Sequence, residues 1–519
     1  MISKEAIKRG YNRGNYTVGA HTRPAWATDI TRSGGAKGMQ VDPVAISEAT
    51  FDRLRVIADE VLTSEADVIS WTRDWWAGSM IAETQGAPAT SKGVIVRVST
   101  VEQIQDVIRL ASESAIPVTV SAGRSNVTGA ALPLRGGIVL DVCELNKFID
   151  FDPQSQIVEV EAGMFGDVFE QTIQKEYGMT MGHWPSSFGI STVGGWVACR
   201  GAGQLSTRYG KIEDMVFGMD VVLADGRLIT VGGYARSAIG PDLQQMFIGS
   251  EGTLGVIVRV RLKLHRLPDY GRAIAWGFSS FASGLEACRE ILQHGANPAA
   301  LRLYDNLESG VQFGLPETNV LLIADEGEPD MVDAVLAISE RVCKQSGEEL
   351  DGEAIFERWL DTRYLTGKSA EGFQKSPGLV ADTLEMVGRW RDLSAVYDDV
   401  VAAINAVPGT LAGSAHQSHA YVDGACLYFS LRGDVAVEQR GAWYRAAWDA
   451  ANAVLIKHNA SLSHHHGVGL LRSPYMQASL GESLSVLAGI KKALDPQNIL
   501  NPGKLGLSAE LHSHQAGQS

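Results

Sequence analysis

Three glycine-rich loops constrain the fold of this chain more than any other feature of its sequence. They occupy residues 118–133, 185–203 and 249–257, and the first and third of them adjoin predicted strands. Glycine and other small residues let backbone N–H groups approach an anion closely, and nearby hydroxyl groups supply further donors. Each loop alone could be an ordinary turn. Their succession along one stretch of chain instead indicates a ligand site built largely from backbone.

The composition of each loop points to a different part of such a ligand. The first loop combines small residues with Ser125 and Asn126, and it would accommodate a pyrophosphate. The second contains the Gly194–Gly195 pair, which could admit a flat ring edge-on. A nicotinamide site would need Gly-x-Gly-x-x-Gly after a strand. The nearest match begins at Gly201 but lacks the third glycine, so we discount it.

Strands and helices alternate around these loops. Residues 93–98 predict a buried strand, and Thr100 with Gln103 forms a capping-box pattern that begins a helix ending near residue 114. Apolar residues at helical spacing also predict a helix over 48–63. Further strands are predicted at 117–120, 138–142, 157–162, 215–223, 228–231, 256–264, 320–324, 413–420 and 425–431. Further helices are predicted at 331–345, 393–406 and 484–494.

This order of elements predicts an α+β protein with four parts. We expect an N-terminal arm and helical segment at 1–84, a glycine-rich ligand-binding domain at 85–268, a second domain at 269–460 and a C-terminal segment at 461–519. A chain of 519 residues, 45% of them apolar, is long enough to build more than one buried core.

Charge and cysteine content exclude several classes of function. The formal net charge of −15 repels phosphate backbones, so we expect no nucleic-acid partner. The five cysteines are scattered and form no CxxC pair, which argues against a disulfide framework and a structural zinc site and fits a reducing compartment. The N-terminus has no apolar signal core, and no stretch reaches ~18 apolar residues. We therefore expect a cytoplasmic enzyme with no transmembrane segment.

His464, His465 and His466 are the clearest candidates for chemistry in the C-terminal segment. Imidazoles exchange protons near neutral pH and serve general acid–base catalysis. In an extended strand adjacent side chains alternate between faces, so His465 would point away from the other two. That alternation argues against three histidines on one ion, and we predict no metal site. The alternative is that these histidines are simply hydrogen-bonded within the fold.

The glycine-rich region resembles the FAD-binding domain of the vanillyl alcohol oxidase and p-cresol methylhydroxylase family. The matching segments are 121–128, Ser-Thr-Val-Gly-Gly at 191–195 and Gly-Ser-Glu-Gly-Thr-Leu-Gly at 249–255. The resemblance implies an extended FAD between two α+β subdomains, and a substrate (cap) domain with an antiparallel sheet and flanking helices. Because the first loop has no His or Cys, we expect the FAD to be non-covalent. The implied cofactor-binding residues are Ser121, Ala122, Gly123, Arg124, Ser125, Asn126, Ser187, Ser191, Thr192, Gly194, Arg200, Ala202, Glu251, Gly252, Thr253 and Ile257.

The C-terminal half is similar to one branch of that family, the alkyl-dihydroxyacetonephosphate synthases. The matching segments are Ser-Leu-Ser-His-His-His-Gly-Val-Gly at 461–469, Gly-Ala-Cys-Leu-Tyr-Phe at 424–429, 298–306 and Gly-Gly-Trp-Val at 194–197. The resemblance implies flavin N5 chemistry that exchanges the acyl group of acyl-dihydroxyacetone phosphate for a fatty alcohol, in ether-lipid synthesis. It makes Tyr428, Arg302 and His464–His466 catalytic candidates, and places Arg363 more loosely near the substrate.

Other interpretations stay open at this point. Tyr428 could be an ordinary strand aromatic, and Arg302 could form a structural ion pair with Asp305 or with a carboxylate on the flavin side. The same fold could oxidise a 2-hydroxy acid, an alcohol or a phenol. Metal-dependent 2-hydroxy-acid dehydrogenases carry a ligand histidine where this chain has Leu or Tyr, although His416 and His419 lie nearby. An inactive flavin carrier would be expected to have lost the polar residues that this chain keeps.

The partners follow from the same considerations. We expect a small-molecule or lipid-like substrate and a homodimer. A lipid-like substrate also leaves room for a peripheral membrane contact.

Overall fold

The computed structural model describes residues 41–84, 92–364 and 378–511. Of the predicted N-terminal arm and helical segment at 1–84, residues 1–40 and the side chain of residue 84 lie outside the description. Among the described residues, no helix combines the length and apolarity that crossing a membrane would need. The homodimer and the peripheral membrane contact stay predictions.

Two sheets form the first half of the molecule. One has four strands in the order Glu60–Leu62, Val94–Arg97, Ile138–Asp141, Val118–Ser121. The first strand is antiparallel to the second, and the other three strands are parallel to one another. The other has five antiparallel strands in the order Phe148–Asp152, Ile157–Glu161, Val256–Lys263, Val216–Val222, Leu228–Gly232. A short pair joins Met179–Thr180 to His265–Arg266.

The helix Val101–Glu113 shows how local sequence builds this half. Thr100 and Gln103 form the predicted capping box. The backbone N–H of Gln103 donates to Thr100 Oγ1, and the backbone N–H of Thr100 donates to Gln103 Oε1. The buried face of the helix includes Ile104 and Val107 and packs onto the four-stranded sheet. Burial of this apolar stripe fixes the helix against the strand that leads into the first glycine-rich loop.

A seven-stranded antiparallel sheet forms the second half. Its strands follow the order Glu348–Leu350, Tyr270–Phe278, Asn319–Gly327, Ala300–Tyr304, Thr410–Ala420, Gly424–Asp434, Leu379–Arg389. Leu301 and Leu303 pack with the helices on one face, whereas Ala300 and Tyr304 pack with the core of the first half. Because side chains alternate along a strand, Arg302 lies on the face towards the first half.

The remaining helices surround these sheets. Those of five or more residues are Glu48–Ile57, Glu65–Trp71, Ala77–Thr84, Gly166–Thr172, Ile173–Tyr177 (a π-helix), Val193–Cys199, Phe281–Gln293, Asn306–Phe313, Pro329–Cys343, Gly352–Thr362, Trp390–Asn405, Arg440–Lys457, Met476–Leu480 and Ser483–Leu494.

One predicted helix is shorter than its apolar spacing indicated. The helix expected over 48–63 ends at Ile57, and Ala58 adopts an extended backbone. Residues Glu60–Leu62 then pair with Val94–Arg97 as an edge strand. Pairing with the sheet has overridden the local helical pattern, because the edge strand gains backbone hydrogen bonds that the sequence pattern does not show. The four domain boundaries stay predictions.

The C-terminal segment returns to the first half. The backbone of Val118 donates to Ile499 O at 2.7 Å and accepts from Asn501 N at 2.8 Å, which places the segment beside the parallel sheet. The buried ammonium group of Lys504 donates to Leu132 O at 2.8 Å. These contacts bring the preceding residues 461–469, the histidine segment, to the glycine-rich loops.

Candidate active site

A cavity of about 450 Å³ lies between the glycine-rich loops and the seven-stranded sheet. That volume is typical of a small-molecule site. The predicted cofactor-binding residues that line it are Ala122, Gly123, Arg124, Ser125, Asn126, Ser187, Ser191, Thr192, Gly194, Ala202, Glu251, Gly252 and Ile257. The predicted catalytic and substrate-side residues that line it are Arg302, Arg363, Tyr428, His465 and His466. Segments distant in the sequence therefore share one cavity.

Four predicted residues do not line this cavity. The Arg200 guanidinium donates to Gln245 and to Ile248 O, and Thr253 Oγ1 donates to Ser250 O, so both side chains are engaged within the protein. Ser121 is buried one residue before the cavity wall, and its hydroxyl has no hydrogen-bond partner in the described part of the chain. His464 does not line the cavity, and its Nε2 lies 2.8 Å from the Tyr421 hydroxyl. The Arg200 side chain in particular has a structural explanation that the sequence did not reveal.

Asn126 holds the first loop in shape. Its side-chain oxygen accepts from the backbone N–H groups of Thr128 at 2.8 Å and Ala130 at 3.0 Å. Its amide nitrogen donates to His466 O at 3.0 Å, which ties the loop to the histidine segment. Beside it Arg124 adopts a left-handed backbone, and its guanidinium carbon lies 3.7 Å from the centre of the Trp71 ring. The loop thus presents a fixed cation and exposed backbone to the cavity.

The glycines show that the loops are built for close approach. A Cβ on Gly123 would lie 2.1 Å from Ile190 O, and a Cβ on Gly194 would lie 2.6 Å from the Ala162 Cβ, so the loops pack backbone against backbone. Gly252 has a φ of +72°, and its added Cβ would meet no atom closer than 3.9 Å. The third loop therefore leaves open space over its backbone. A flat cofactor with a phosphate-bearing chain fits a surface of this kind.

The histidine segment is curled rather than extended, so the predicted alternation of its side chains is wrong. The carboxylate of Glu385 accepts the backbone N–H groups of His464, His465 and His466. Three consecutive N–H groups converge on one carboxylate, and the turn that this requires keeps the rings close together, with the centres of His464 and His465 5.2 Å apart and those of His465 and His466 4.5 Å apart. Glu385 is fully buried, yet Arg472, the histidines and these N–H groups outweigh burial and lower its pKa, so it stays ionised.

A second buried carboxylate fixes the other end of the same segment. Glu251, from the third glycine-rich loop, accepts backbone N–H groups of Val468 and Gly469, the latter at 2.9 Å. Burial raises the pKa of Glu251, although those N–H groups, Lys504 and Arg472 act in the opposite direction. The histidine segment is thus anchored to both halves of the molecule.

Tyr428, His466 and Glu385 form a line of polar groups at the cavity wall. The hydroxyl of Tyr428 lies 3.0 Å from His466 Nε2, and Glu385 Oε1 lies 3.7 Å from His466 Nδ1. Burial lowers the pKa of His466 to about 4, although Glu385 acts to raise it, and burial raises the pKa of Tyr428. At neutral pH the imidazole is therefore an uncharged base beside a protonated phenol. Tyr428 is more than an ordinary strand aromatic in this setting.

His464 and His465 form a second group with His419. His464 Nε2 lies 2.8 Å from the Tyr421 hydroxyl, and the Nδ1 atoms of His464 and His465 are 3.0 Å apart. Burial lowers the pKa of His464 to about 3 and that of His465 well below its usual range. One ligand atom of each of the three histidines lies within 4.8 Å of the others, a spacing compatible with a metal ion. The absence of a metal stays a prediction.

Two arginines supply positive charge at the cavity wall. The guanidinium groups of Arg302 and Arg363 lie over the Trp359 ring at 5.7 and 5.1 Å. Arg302 Nε donates to the Tyr304 hydroxyl at 2.9 Å. Asp305, the ion-pair partner that the sequence left open for Arg302, instead caps the helix Asn306–Phe313. The paired guanidinium groups suit a phosphate or a carboxylate.

Sequence reasoning missed several residues of the cavity wall. His183 is 1% exposed, lines the cavity, and has no hydrogen-bond partner on either ring nitrogen in the described ranges. Burial lowers its pKa to about 3, so it is a neutral group that a bound ligand could satisfy. Glu308 also lines the cavity, as does His416, which the sequence offered only as a neighbour of the absent metal-ligand position. The one signal for His183 was its position just before the second loop.

Comparison with known proteins agrees with this geometry. Residues 93–232 match the family model of an FAD binding domain, and residues 267–505 match that of the FAD linked oxidases, C-terminal domain. The chain belongs to the FAD-linked oxidases. FAD is its cofactor, and the protein is an enzyme. When bound, FAD supplies the redox-active and nucleophilic isoalloxazine ring, and the cavity-lining residues of the three loops would hold it.

The relatives of this FAD-linked oxidase have more than one activity. It is 29% identical to the alkyldihydroxyacetonephosphate synthase of Trypanosoma brucei brucei, over 77% of this chain and 70% of the relative. It is also 29% identical to an uncharacterized FAD-linked oxidoreductase of Escherichia coli (strain K12), over 79% and 88%. A glycolate oxidase subunit of Bacillus subtilis (strain 168) is 24% identical, over 83% and 92%. These relatives share the FAD-linked oxidase family but differ in the substrate that their names imply.

Solved structures confirm the predicted fold class. An alkyldihydroxyacetonephosphate synthase aligns with a TM-score of 0.74 at 23% identity, covering 96% of this chain and 92% of that one. A p-cresol methylhydroxylase with substrate bound aligns with a TM-score of 0.73 at 19% identity, covering 90% and 99%. The FAD-linked oxidase thus has the FAD-binding domain and antiparallel cap sheet that the sequence resemblance implied.

Proposed function

We propose that this enzyme exchanges the acyl group of acyl-dihydroxyacetone phosphate for a fatty alcohol, as the alkyl-dihydroxyacetonephosphate synthases do. The observation that carries the proposal is the line from Tyr428 through His466 to Glu385, which faces the same cavity as the glycine-rich loops. A simple oxidation needs a single proton acceptor, whereas the exchange needs a group that both accepts and returns protons. A phenol and an imidazole 3.0 Å apart can do both.

The chain's own residues account for the proton transfers at the substrate carbon. His466 is neutral at physiological pH and can accept a proton at Nε2 directly or through the Tyr428 hydroxyl. Glu385 Oε1, 3.7 Å from His466 Nδ1, stabilises the imidazolium that results. Because Glu385 also holds the backbone of His466, the base and its counter-charge keep a fixed geometry.

Arg302 and Arg363 account for binding of the phosphate. Both guanidinium groups line the cavity and stack on Trp359, so they are positioned before the substrate arrives. A dianionic phosphate would gain charge-assisted hydrogen bonds from both groups. When bound, FAD would supply a nucleophilic N5.

The proposal is tested with FAD-loaded enzyme, palmitoyl-dihydroxyacetone phosphate and labelled hexadecanol. We expect labelled ether lipid and an equal amount of free palmitate, without any external electron acceptor. The glycolate oxidase relative and the arginine pair make oxidation of a 2-hydroxy acid the second candidate. Rapid bleaching of the flavin by glycolate or D-lactate, with no ether lipid formed, would replace the proposed function with that one.

A further inference from the structure

Three aromatic rings form a column along the cavity wall of the seven-stranded sheet. His416 pairs across the sheet with Tyr304 on one side and Tyr428 on the other. The His416 ring centre is 5.3 Å from that of Tyr304 and 4.9 Å from that of Tyr428, with interplanar angles of 23° and 21°. All three residues line the cavity. Tyr428 therefore has His416 stacked on its face and His466 at its edge, where the rings meet at 89°.

A carboxylate and two guanidinium groups act electrostatically on His416. Glu308, from the helix Asn306–Phe313, accepts from Ser414 Oγ and from Arg432 Nη2 at 2.9 Å. Burial acts to raise the pKa of Glu308, but His416, Arg432 and its hydroxyl donors outweigh burial and lower it. Burial, Arg302 and Arg432 lower the pKa of His416 to about 3, while Glu308 acts to raise it. His416 is therefore a neutral base with an ionised carboxylate close by.

One atom of His416 lacks a partner. Its Nδ1 is buried and has no hydrogen bond to any residue of the described chain. Stacking between two phenol rings holds the imidazole plane, so its nitrogens keep a fixed direction relative to Tyr428. A buried, oriented and unpaired imidazole nitrogen on a cavity wall is suited to a hydroxyl of the ligand.

We propose that His416, supported by Glu308, is the base that takes the proton from the hydroxyl of the incoming fatty alcohol. The inference rests on the proposed function and deepens it. The alcohol O–H bond breaks, its proton passes to His416, and the oxygen uses the freed electron pair to bond to C1 of the dihydroxyacetone phosphate unit. The fatty acid leaves as a carboxylate with the electron pair of its own C1–O bond. Each exchange releases one proton and consumes no oxidant or reductant.

This assignment divides the proton chemistry between two sites. The Tyr428–His466–Glu385 line accepts and returns the proton on C1. His416, supported by Glu308, accepts the proton of the alcohol hydroxyl. Tyr428 lies between the two groups, in contact with both imidazoles. The division predicts that loss of His416 impairs only the step in which alcohol enters, because release of the fatty acid does not require it.

The test compares His416→Ala with His458→Ala, a histidine that pairs with Asp399 at the surface. Both FAD-loaded proteins receive palmitoyl-dihydroxyacetone phosphate. One assay measures exchange of its acyl group with labelled free palmitate, and the other measures ether lipid formed from labelled hexadecanol. We expect His416→Ala to lose ~10²-fold or more in ether-lipid formation and to keep acyl exchange within about threefold of wild type. His458→Ala should match wild type in both assays.

Two further readouts separate a proton-transfer role from a structural one. Added imidazole should raise the rate of ether-lipid formation by His416→Ala about tenfold or more, because it can enter the space left by the ring. Glu308→Gln should lower ether-lipid formation by about tenfold through kcat, with acyl exchange retained. Equal losses in both assays, or an unchanged His416→Ala, would overturn the assignment. Absence of either activity in the wild type would instead overturn the proposed function.

Discussion

The two walls of the cavity are built on different physical principles. The loop wall presents backbone, with Gly123 and Gly194 packed so closely that no Cβ fits without movement. The sheet wall, together with the histidine segment beside it, presents titratable side chains, among them His416, Tyr428 and His466, whose pKa values are shifted by burial. The first wall recognises a cofactor by shape and backbone hydrogen bonds. The second places acids and bases where a substrate carbon and oxygen would lie.

This difference separates binding from turnover. A substitution in the loop wall should remove FAD, whereas one in the sheet wall should leave FAD in place and slow the reaction. The four variants below test that separation, beginning with the largest expected effect.

Gly252→Leu should abolish FAD binding. Gly252 lines the cavity with a φ of +72°, and a leucine side chain would enter the space that the cofactor needs. The FAD-to-protein ratio after purification, read from the flavin absorbance, measures the effect. Gly233→Leu is the matched control, because Gly233 has a similar φ of +88° but does not line the cavity. Equal loss of FAD in both variants would mean that backbone strain, rather than the cavity, is responsible.

Tyr428→Phe should lower ether-lipid formation by ~10²-fold or more while the FAD content stays at wild-type level. The substitution removes the hydroxyl that lies 3.0 Å from His466 Nε2 and keeps the ring that stacks on His416. Tyr270→Phe, on another strand of the same sheet, removes a hydroxyl that contacts Asp333 and should have no effect on turnover. Turnover within twofold of wild type would remove Tyr428 from the proton chemistry.

Glu385→Gln should lower kcat by about tenfold with little change in KM. The amide loses one acceptor oxygen for the N–H groups of the histidine segment, so the imidazoles lose their alignment, while Arg302 and Arg363 still bind the phosphate. Steady-state kinetics on FAD-loaded protein separates the two constants. Glu349→Gln, at an exposed position of the same sheet, serves as the control. A rise in KM at constant kcat would show that Glu385 supports substrate binding instead.

Arg200→Gln should change FAD affinity by less than about threefold. The sequence resemblance assigned Arg200 to the cofactor, but its guanidinium contacts Gln245 and Ile248 and does not line the cavity. Titration of apoprotein with FAD, followed by flavin fluorescence, gives the affinity. A loss of tenfold or more would place Arg200 on the loop wall after all.

The loop wall could be predicted from the sequence because its information is local. Thirteen of the sixteen residues assigned to the cofactor line the cavity, since each motif shapes its own turn and neighbouring turns meet at the ends of strands. The capping box at Thr100 and Gln103 was predictable for the same reason. Such features depend on residues three or four positions apart, so no knowledge of tertiary contacts is needed.

The sheet wall could be predicted only in part. Resemblance identified Tyr428 and the histidines as candidates, but not how they meet. The curl of the histidine segment depends on Glu385, 79 positions before His464, and nothing in the sequence around either residue indicates that contact. The pairing of His416 with Tyr304 likewise follows from strand order across more than 100 residues. Contacts of this kind are set by topology, not by local pattern.

The return of the C-terminal segment to the parallel sheet has a consequence for synthesis. Val118 is hydrogen-bonded on both sides by Ile499 and Asn501, and Lys504 reaches Leu132, so the first half is completed by residues that are synthesised after the whole second half. The nascent first half has to wait with this edge unpaired while the whole cap domain is made. We therefore expect flavin to load only after residues 499–504 have been made, and a chain that ends at Leu494 to accumulate as an aggregation-prone apoprotein even though every glycine-rich loop is intact.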